Sequence, residues 1–366
     1  MKRAVQNSSS PENYFPLFEI SAKSHYEFGI KIGAAAKVQI RQGLIRRKKW
    51  LAKLKKFADE KRAQRVAPFI HGLDQCFPEY LEELIGMAEG AGVDFDLLFI
   101  LNLNPELNAM MLSAREENCS TVMSREGDHV ILGHNEDGSE QYLGLMFLID
   151  AELPSGNECF ALCYPGIIPG NGPSINSHGM INTCNYIGGK DWRHGVPRYF
   201  INRAMLDARS MEDAVAIACH PLRAYPQAHN LISVREKQAR MIESSVNKAV
   251  VKDVNGVVAR ANHYVFREMK SEPEHAPYLK RSGPRLLALS KELEKFAGGK
   301  ITAGDIGLAL SSHRGRPLSP CRHRNKKVGG ATLGMFLFDS GTVGFRFYFG
   351  GPCRDIFKKF QPAWAR

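Results

Sequence analysis

Glu116-Glu117-Asn118-Cys119-Ser120-Thr121-Val122 leads through Met123–Asp128 into the run His129–Asn135, with Glu136 and Asp137 directly behind it. A small polar loop that ends in Cys-Ser-Thr and feeds an apolar strand-like run is one way to set a nucleophile at the start of a sheet. If Cys119 becomes a new N-terminus, the long segment before it has a reason to exist. The texture of the chain changes at this point: helical periodicity precedes Cys119, and short strands separated by turn residues follow it.

Upstream, Ser24-x-x-Glu27 has the form of a capping box, and the apolar spacing after it predicts a long helix from about Ser24 to about Ala63, broken near Gly43. Trp50, Leu51, Leu54, Phe57 and Ala58 form an apolar stripe that suits a core better than a ligand site. Pro78 opens a second helix with Tyr80, Leu81, Leu84, Ile85 and Ala88 on one face. Glu79, Glu82 and Glu83 fall near its positive end, and Gly90 and Gly92 are expected to stop it. Asp94 caps a short helix that runs on towards Leu107.

Downstream, Val130–Asn135, Leu145–Asp150, Cys159–Tyr164 and Met180–Tyr186 read as strands, with a proline-rich loop over Gly166–Gly172. Arg198–Ala208 and Met211–Ala218 read as helices. Asn230–Glu236, Ala239–Ser245, Lys248–Val251 and Val257–Ala261 return to strands. Ser282–Phe296 and Ile306–Ser312 are helical again, and Thr332–Asp339 with Val343–Phe349 forms a closing hairpin about Ser340-Gly341. This order fits an α+β chain of two stacked antiparallel sheets with helices on their outer faces. No repeat, heptad array or phosphate-binding glycine loop is present.

The composition, 44% apolar over 366 residues, is that of a globular chain with a substantial core. The net charge of +11 is local. Between Lys37 and Arg65 twelve basic residues face only Asp59 and Glu60, which leaves a single net charge for everything else. A solvated helix face is the preferred explanation, ahead of a surface for an anionic membrane or acidic partner, and no nucleic-acid partner is expected. The eight cysteines are too sparse for a disulfide scaffold and form no Cys-x-x-Cys pair. Cys321, His323 and the nearby His313 hint at zinc, but the usual ligand spacing is missing, so neither metal nor cofactor is expected. The start of the sequence carries no apolar stretch of signal-peptide length, from which a cytoplasmic location is expected.

Phe77-Pro78-Glu79-Tyr80-Leu81-Glu82-Glu83-Leu84, continuing to Val93, with Asn102–Leu107 and Cys119-Ser120-Thr121, resembles the acyl-coenzyme A:6-aminopenicillanic acid acyltransferase family. These are N-terminal-nucleophile (Ntn) enzymes related to choloylglycine hydrolases. The likeness continues through Gly133–Asp137, Gly166-Ile167-Ile168, Ile181–Tyr186, Gly195-Val196-Pro197, Ala261-Asn262-His263-Tyr264 and Gly330-Ala331-Thr332-Leu333. The resemblance implies a four-layer αββα sandwich with a helical N-terminal segment. It also implies self-cleavage between Asn118 and Cys119, by an acyl shift to the thiol and thioester hydrolysis. Residues 1–118 would remain associated with a catalytic fragment, 119–366. The family usually carries glycine where Asn118 stands. It also carries an arginine at Gly329, whose charge Arg322, Arg324, Lys326 or Lys327 is placed to replace.

The resemblance assigns Cys119 as nucleophile, with its freed α-amine, of reference pKa about 7.7–8.0, as base. Asp137 would hold that amine, and Asn262 would donate its amide to the oxyanion. Asn185, Tyr186 and Thr121 are expected on the substrate side, the first two against substrate or oxyanion, and Thr121 with Ser120 to orient the thiol or assist self-cleavage. His134 and His263 are read as structural. From residue type alone, Cys119 suits a buried packed thiol, Asp137 and Asn262 suit turns, and Asn185 and Tyr186 suit a strand end. The expected reaction is cleavage of a linear amide of a small N-acyl compound, with transfer to an amine as an extension. A thioester is the other expected substrate class, and a homo-oligomer is an open option. The alternative from another class is an unprocessed, inactive relative that binds an acidic surface through residues 37–65.

Overall fold

The computed structural model describes residues 14–112, 118–296, 298–325, 328–342 and 344–362. Glu116, Glu117, Lys326, Lys327 and Val343, which figured in the expectations above, lie outside the described residues. A short strand, β1 (Leu17–Ser21), precedes α1 (His25–Ala35), α2 (Lys37–Arg46), α3 (Lys48–Glu60), α4 (Arg62–Arg65), α5 (Ala67–Cys76), α6 (Pro78–Ala91), α7 (Phe95–Asn102) and α8 (Asn104–Met110). The expected long helix is therefore a series of shorter ones. Its breaks fall at Ala36, Arg47 and Lys61, where the backbone leaves helical values. Each break re-aims the axis, so that Leu51, Leu54 and Ala58 of α3 stay on the core. Gly43 is not a break: it lies inside α2, where an added Cβ would come 2.9 Å from Cβ of Pro165.

Local signals decide several of the helix ends. Ser24 accepts from the Glu27 amide, but the Glu27 carboxylate takes the Lys23 amide, so half of the expected capping box forms. Asp94 caps α7 by accepting from the Leu97 amide at 2.8 Å, an interaction worth about 1 kcal/mol. Gly92 ends α6 in the left-handed region, φ +61°. Gly90, expected to share that task, lies inside the helix. With Gly86 it meets Gly29 and Gly33 of α1. A Cβ on Gly29 would sit 1.9 Å from the Glu83 carbonyl oxygen, and one on Gly90 2.1 Å from that of Ile30, so the two backbones touch where only hydrogen fits.

The rest of the chain runs β2 (Asn118–Glu126), β3 (His129–Gly138), β4 (Phe147–Glu152), β5 (Glu158–Cys163), β6 (Ser174–Asn176), β7 (Met180–Tyr186), α9 (Arg198–Ala204) and α10 (Met211–Ala218). It continues β8 (Gln227–Ser233), β9 (Gln238–Ser244), β10 (Ala249–Asp253), β11 (Gly256–Arg260), α11 (Ala276–Leu293), α12 (Ala303–Ser311), β12 (Ala331–Asp339), β13 (Phe345–Phe349) and β14 (Phe357–Phe360). One sheet has the order β1-β4-β5-β6-β7-β8-β9-β10 and the other β11-β2-β3-β12-β13-β14. Every pairing is antiparallel except β1 with β4, which is parallel. β1, β6 and β14 were not expected: each is short and lies at a sheet edge or within a proline- and glycine-rich stretch, where residue pattern carries little signal. The chain therefore does not close on the β12–β13 hairpin.

Alternation along the strands builds four layers. Val130 and Leu132 of β3 enter the core between the sheets, while Ile131 packs outward with Leu289 of α11 and Ile306 and Leu310 of α12. Phe160 closes the inter-sheet core, its ring centroid 5.1 Å from that of Phe345 and 4.9 Å from that of Phe360. Burying each such ring contributes roughly 1.5–3 kcal/mol. On the opposite outer face Met211, Ala214 and Ala218 of α10 cover Leu231 and Ile242. The result is an αββα sandwich.

The segment before Cys119 is joined to this sandwich by buried polar contacts as well as by β1. Arg203 of α9 donates to both carboxylate oxygens of Glu83 at 2.9 Å and to Asp207 at 2.7 Å, with both ion-pair side chains fully buried at Glu83. The sequence placed Glu83 near the positive end of its helix; the fold also uses it as an internal ion. Removing one partner of such a pair costs about 3–5 kcal/mol. Asn102 donates to the Gly166 carbonyl and accepts from the Ile168 amide, and Glu106 accepts from the Arg198 amide. Among the described residues no helix is long and apolar enough to cross a membrane.

Candidate active site

The β2–β3 ladder sets Cys119 opposite Glu136, Asn118 opposite Asp137, Ser120 opposite Asn135 and Thr121 opposite His134. Cross-strand partners share a face, so Cys119, Thr121, His134 and Glu136 all point between the two sheets. Cys119 Sγ lies 3.7 Å from Glu136 Oε1, which also accepts from the Tyr164 hydroxyl. Glu136 Oε2 stands 3.1 Å from His134 Nε2. Thr121 spends its hydroxyl proton on Asn185 Oδ1 at 2.8 Å, so at 2.8 Å from His134 Nδ1 it accepts. His134 Nδ1 is then the donor towards the Thr121 oxygen.

The main chain of Cys119 meets a different set of groups. Its N–H donates to Asn262 Oδ1 at 2.8 Å. The same oxygen accepts from Arg285 of α11, whose guanidinium also lies 3.5 Å from Asp137 Oδ2. Asp137 Oδ1 accepts from the Thr332 hydroxyl at 2.6 Å, and the Asp137 amide points at the Cys119 sulfur. Asn262 donates its side-chain amide to the Tyr186 carbonyl at 2.8 Å, and its backbone N–H to Ser282. Ser282 and Arg285, one turn apart on α11, thus hold Asn262 from outside the sheet. Ser282 Oγ also lies 2.7 Å from His263 Nδ1.

Burial dominates the electrostatics. It pushes the Cys119 thiol well above the ordinary range, and the Glu136 and Asp137 charges push it further, so the thiol of the intact chain is protonated. Burial also raises the Asp137 carboxyl against the pull of Arg322 and Arg285. Arg285 itself is brought down to about 10 by burial, and His263 to about 4. A histidine at that value is a weak base at neutral pH.

Every residue singled out from the sequence lies on this assembly, but not all touch the thiol. Tyr186 offers its backbone oxygen to Asn262, while its hydroxyl pairs with that of Tyr225 at 2.6 Å. Asn185 Oδ1 accepts from Thr121 and Asn230, and its Nδ2 is a buried amide without an acceptor among the described residues. Sequence reasoning missed Glu136, Tyr164, Arg285 and Thr332 as neighbours of Cys119. Glu136 was within reach, since a hairpin register would have put it opposite Cys119; Thr332 stood in a quoted motif without a role, and Tyr164 and Arg285 arrive from distant elements and leave no local signal. Of the two described residues expected to stand in at Gly329, Arg322 is buried beside Asp137 while Arg324 is exposed, and Arg322 Nη2 donates to the Gly329 carbonyl. Arg322, Ala331 and Thr332 also line one wall of a cleft of about 450 Å³.

A family model described as acyl-coenzyme A:6-aminopenicillanic acid acyl-transferase matches residues 123–354, beginning just after Cys119. The beta-alanyl-dopamine/carcinine hydrolase of Drosophila melanogaster is 31% identical over 211 residues, which are 53% of this chain and 54% of that protein. The chain thus aligns with about half of that relative's length. The 40 kDa form of acyl-coenzyme A:6-aminopenicillanic-acid-acyltransferase from Emericella nidulans is 25% identical over 333 residues, 86% of this chain and 87% of that one. Among solved structures, a mutant form of conjugated bile acid hydrolase from Clostridium perfringens superposes with a TM-score of 0.43 at 10% identity, covering 63% of this chain and 89% of that one.

Proposed function

The chain belongs to the acyl-coenzyme A:6-aminopenicillanic acid acyl-transferase family, and from that premise we propose that it is a cysteine amidohydrolase that matures by cutting itself between Asn118 and Cys119. The observation that carries the reading is the hold on the Cys119 nitrogen. That nitrogen must leave as an amine during self-cleavage, and it already donates to Asn262 beside Asp137 and Arg285.

In the maturation step Cys119 Sγ attacks the Asn118 carbonyl carbon. The C–N bond breaks, the acyl group moves to sulfur, and the nitrogen takes up the thiol proton. Water then hydrolyses the thioester and releases the Asn118 carboxylate. The intact chain keeps the thiol neutral, which suits a precursor; the freed α-amine supplies the base that the buried site lacks. In turnover that amine accepts the thiol proton, held by Asn262 Oδ1 and the Asp137 carboxylate. The thiolate attacks the substrate carbonyl, and Asn185 Nδ2 and the remaining Asn262 N–H are the donors for the oxyanion. Collapse expels the amine and leaves an acyl-enzyme on Cys119. Water, or a second amine where transfer operates, completes the cycle. The buried contacts of Glu83, Asn102 and Glu106, and the pairing of β1 with β4, support retention of residues 1–118 after the cut.

The binding-protein alternative draws on the exposed lysines Lys37, Lys48, Lys49, Lys53, Lys56 and Lys61. Against it, the other basic residues of that stretch are committed within the molecule. Arg41 donates to Ala91, Arg46 to Leu143, and Lys55 and Arg62 pair with Asp96, for example. Intact mass separates the readings. Two fragments, the larger starting at Cys119, support the enzyme; a permanently intact chain that also resists a thiol-directed acyl probe sinks it. Substrate class is then read from a panel of N-acyl amino acids, beta-alanyl amines such as carcinine, penicillins, bile-salt conjugates and acyl thioesters.

A further inference from the structure

Away from Cys119, four metal-ligating side chains converge from three separate segments. His313 follows α12, Cys321 and His323 lie in the loop before β12, and Cys353 lies in the turn after β13. Their donor atoms all fall within 4.8 Å of one another. His323 Nε2 stands 2.9 Å from His313 Nε2, 3.4 Å from Cys353 Sγ and 3.8 Å from Cys321 Sγ. Tetrahedral zinc with two sulfur and two nitrogen ligands requires neighbouring donors about 3.3–3.8 Å apart, so the preformed spacing needs only small adjustments. A Cβ on Gly351 would come 3.1 Å from Cys321 Sγ and 3.7 Å from Cys353 Sγ, so the glycine leaves room for the two sulfurs to approach.

We propose that His313, Cys321, His323 and Cys353 form a structural site for a tetrahedral, thiolate-preferring divalent cation, zinc above all. Sequence spacing set metal aside because the usual ligand spacing is missing: Cys321 and His323 are two positions apart, and Cys353, 30 positions further on, was not connected with them. The donor set is the Cys₂His₂ of closed structural zinc sites, with no position left over for a substrate. On binding, two S–metal and two N–metal bonds form, and the two thiol protons pass to solvent. The cation would tie the end of α12 to the loops on either side of the β12–β13 hairpin. It would thereby fix Arg322, which lies between two of the ligands and extends its buried guanidinium towards Asp137. The site is independent of whether Cys119 is cut.

The test is metal analysis of the full chain, purified without chelator, by inductively coupled plasma mass spectrometry. Wild type and Cys119→Ala are expected to carry one zinc per chain, and Cys321→Ser and Cys353→Ser to fall to background. Cobalt reconstitution adds a second readout, thiolate-to-cobalt charge-transfer absorption with the strong visible bands of tetrahedral cobalt. These should be lost in Cys353→Ser, whose exposed turn tolerates the change and whose folding is checked by circular dichroism. Three results overturn the proposal. One is folded wild type that takes up neither zinc nor cobalt. Another is metal that survives Cys353→Ser but disappears in Cys119→Ala, which places it at Cys119, His134 and Glu136. The third is a Cys321–Cys353 disulfide in peptide maps of the metal-free, non-reduced protein.

Discussion

Cysteine and histidine gather at two places in this molecule, and the two clusters are built in opposite ways. Cys119, His134 and Glu136 stand on alternate rungs of β2 and β3, fully enclosed, with Glu136 already committed to Tyr164 and His134, and His134 to Thr121. His313, Cys321, His323 and Cys353 stand on loops and turns, and their donors face one another. A strand ladder fixes side chains to a fraction of an ångström and keeps them apart from water, which suits a nucleophile that must wait for its base. Loops bring ligands from far along the chain, which suits a clip that closes only when something binds between them. Chemistry of the same elements is thus divided by what lies beneath the side chains.

The sharpest way to break this comparison is Cys119→Ala. It should abolish both the cut and turnover, seen as a single full-length mass and no acyl-probe labelling, while Cys321→Ser leaves the cut in place. Retained cleavage in Cys119→Ala would move the nucleophile elsewhere. Next, Asn185→Ala should lower turnover by about 10²–10³-fold, the typical cost of one oxyanion donor, with substrate KM little changed. Asn262→Ala should slow turnover and cleavage together, because it removes the group that holds the Cys119 nitrogen. A selective loss of only one of these activities would separate the two steps.

A smaller effect concerns pH. Burial, then Glu136 and Asp137, hold the Cys119 thiol above its ordinary value in the intact chain. The unfolded chain releases that proton near pH 8.5 while the folded one keeps it, so stability falls as pH rises past about 8.5. Cys119→Ala should remove part of that fall in urea titrations of the unprocessed chain. Glu136→Gln, which takes away one of the opposing charges, should shift iodoacetamide labelling of Cys119 to lower pH; an unchanged profile would mean that burial alone sets the thiol. The smallest effect on chemistry is expected from Cys353→Ser, which should lower the melting temperature while leaving Cys119 labelling unchanged. With metal withheld from both proteins, the difference should shrink to within about 0.5 kcal/mol, the usual range for an exposed substitution.

The sequence made legible what depends on near neighbours. Met180–Tyr186 and Met211–Ala218 appear with the expected bounds, and the Asp94 cap and the Gly92 stop form as their residue types predict. Cys119, Thr121, Asp137, Asn185, Tyr186 and Asn262 were picked out by family motif, and the fold gathers them about one hairpin. What was not legible depends on partners far along the chain. Gly90 reads as a helix stop until its bare Cα is seen to face the Ile30 carbonyl and the Ala34 amide of α1. Glu83 reads as a charge near a helix's positive end until Arg203 is placed beside it. Glu136 reads as part of a motif until strand register sets it opposite Cys119, and Arg285 reads as an ordinary helix residue until α11 lies across Asn262.

Amphipathic period and turn chemistry, each written within a few residues of itself, therefore determined the α+β class and the change of texture at Cys119, while the identity of the proposed nucleophile came from the order of family motifs along the chain. Only the tertiary structure decided that the Cys119 nitrogen is held by Asn262, itself anchored by Arg285, while its sulfur faces Glu136, and that Cys353 returns to complete the set with His313, Cys321 and His323. The physical reason is the same in both cases. Hydrogen bonds, ion pairs and ligand geometry act over a few ångströms, and which residues come within that range is set by sheet register and helix packing, which chain spacing does not encode.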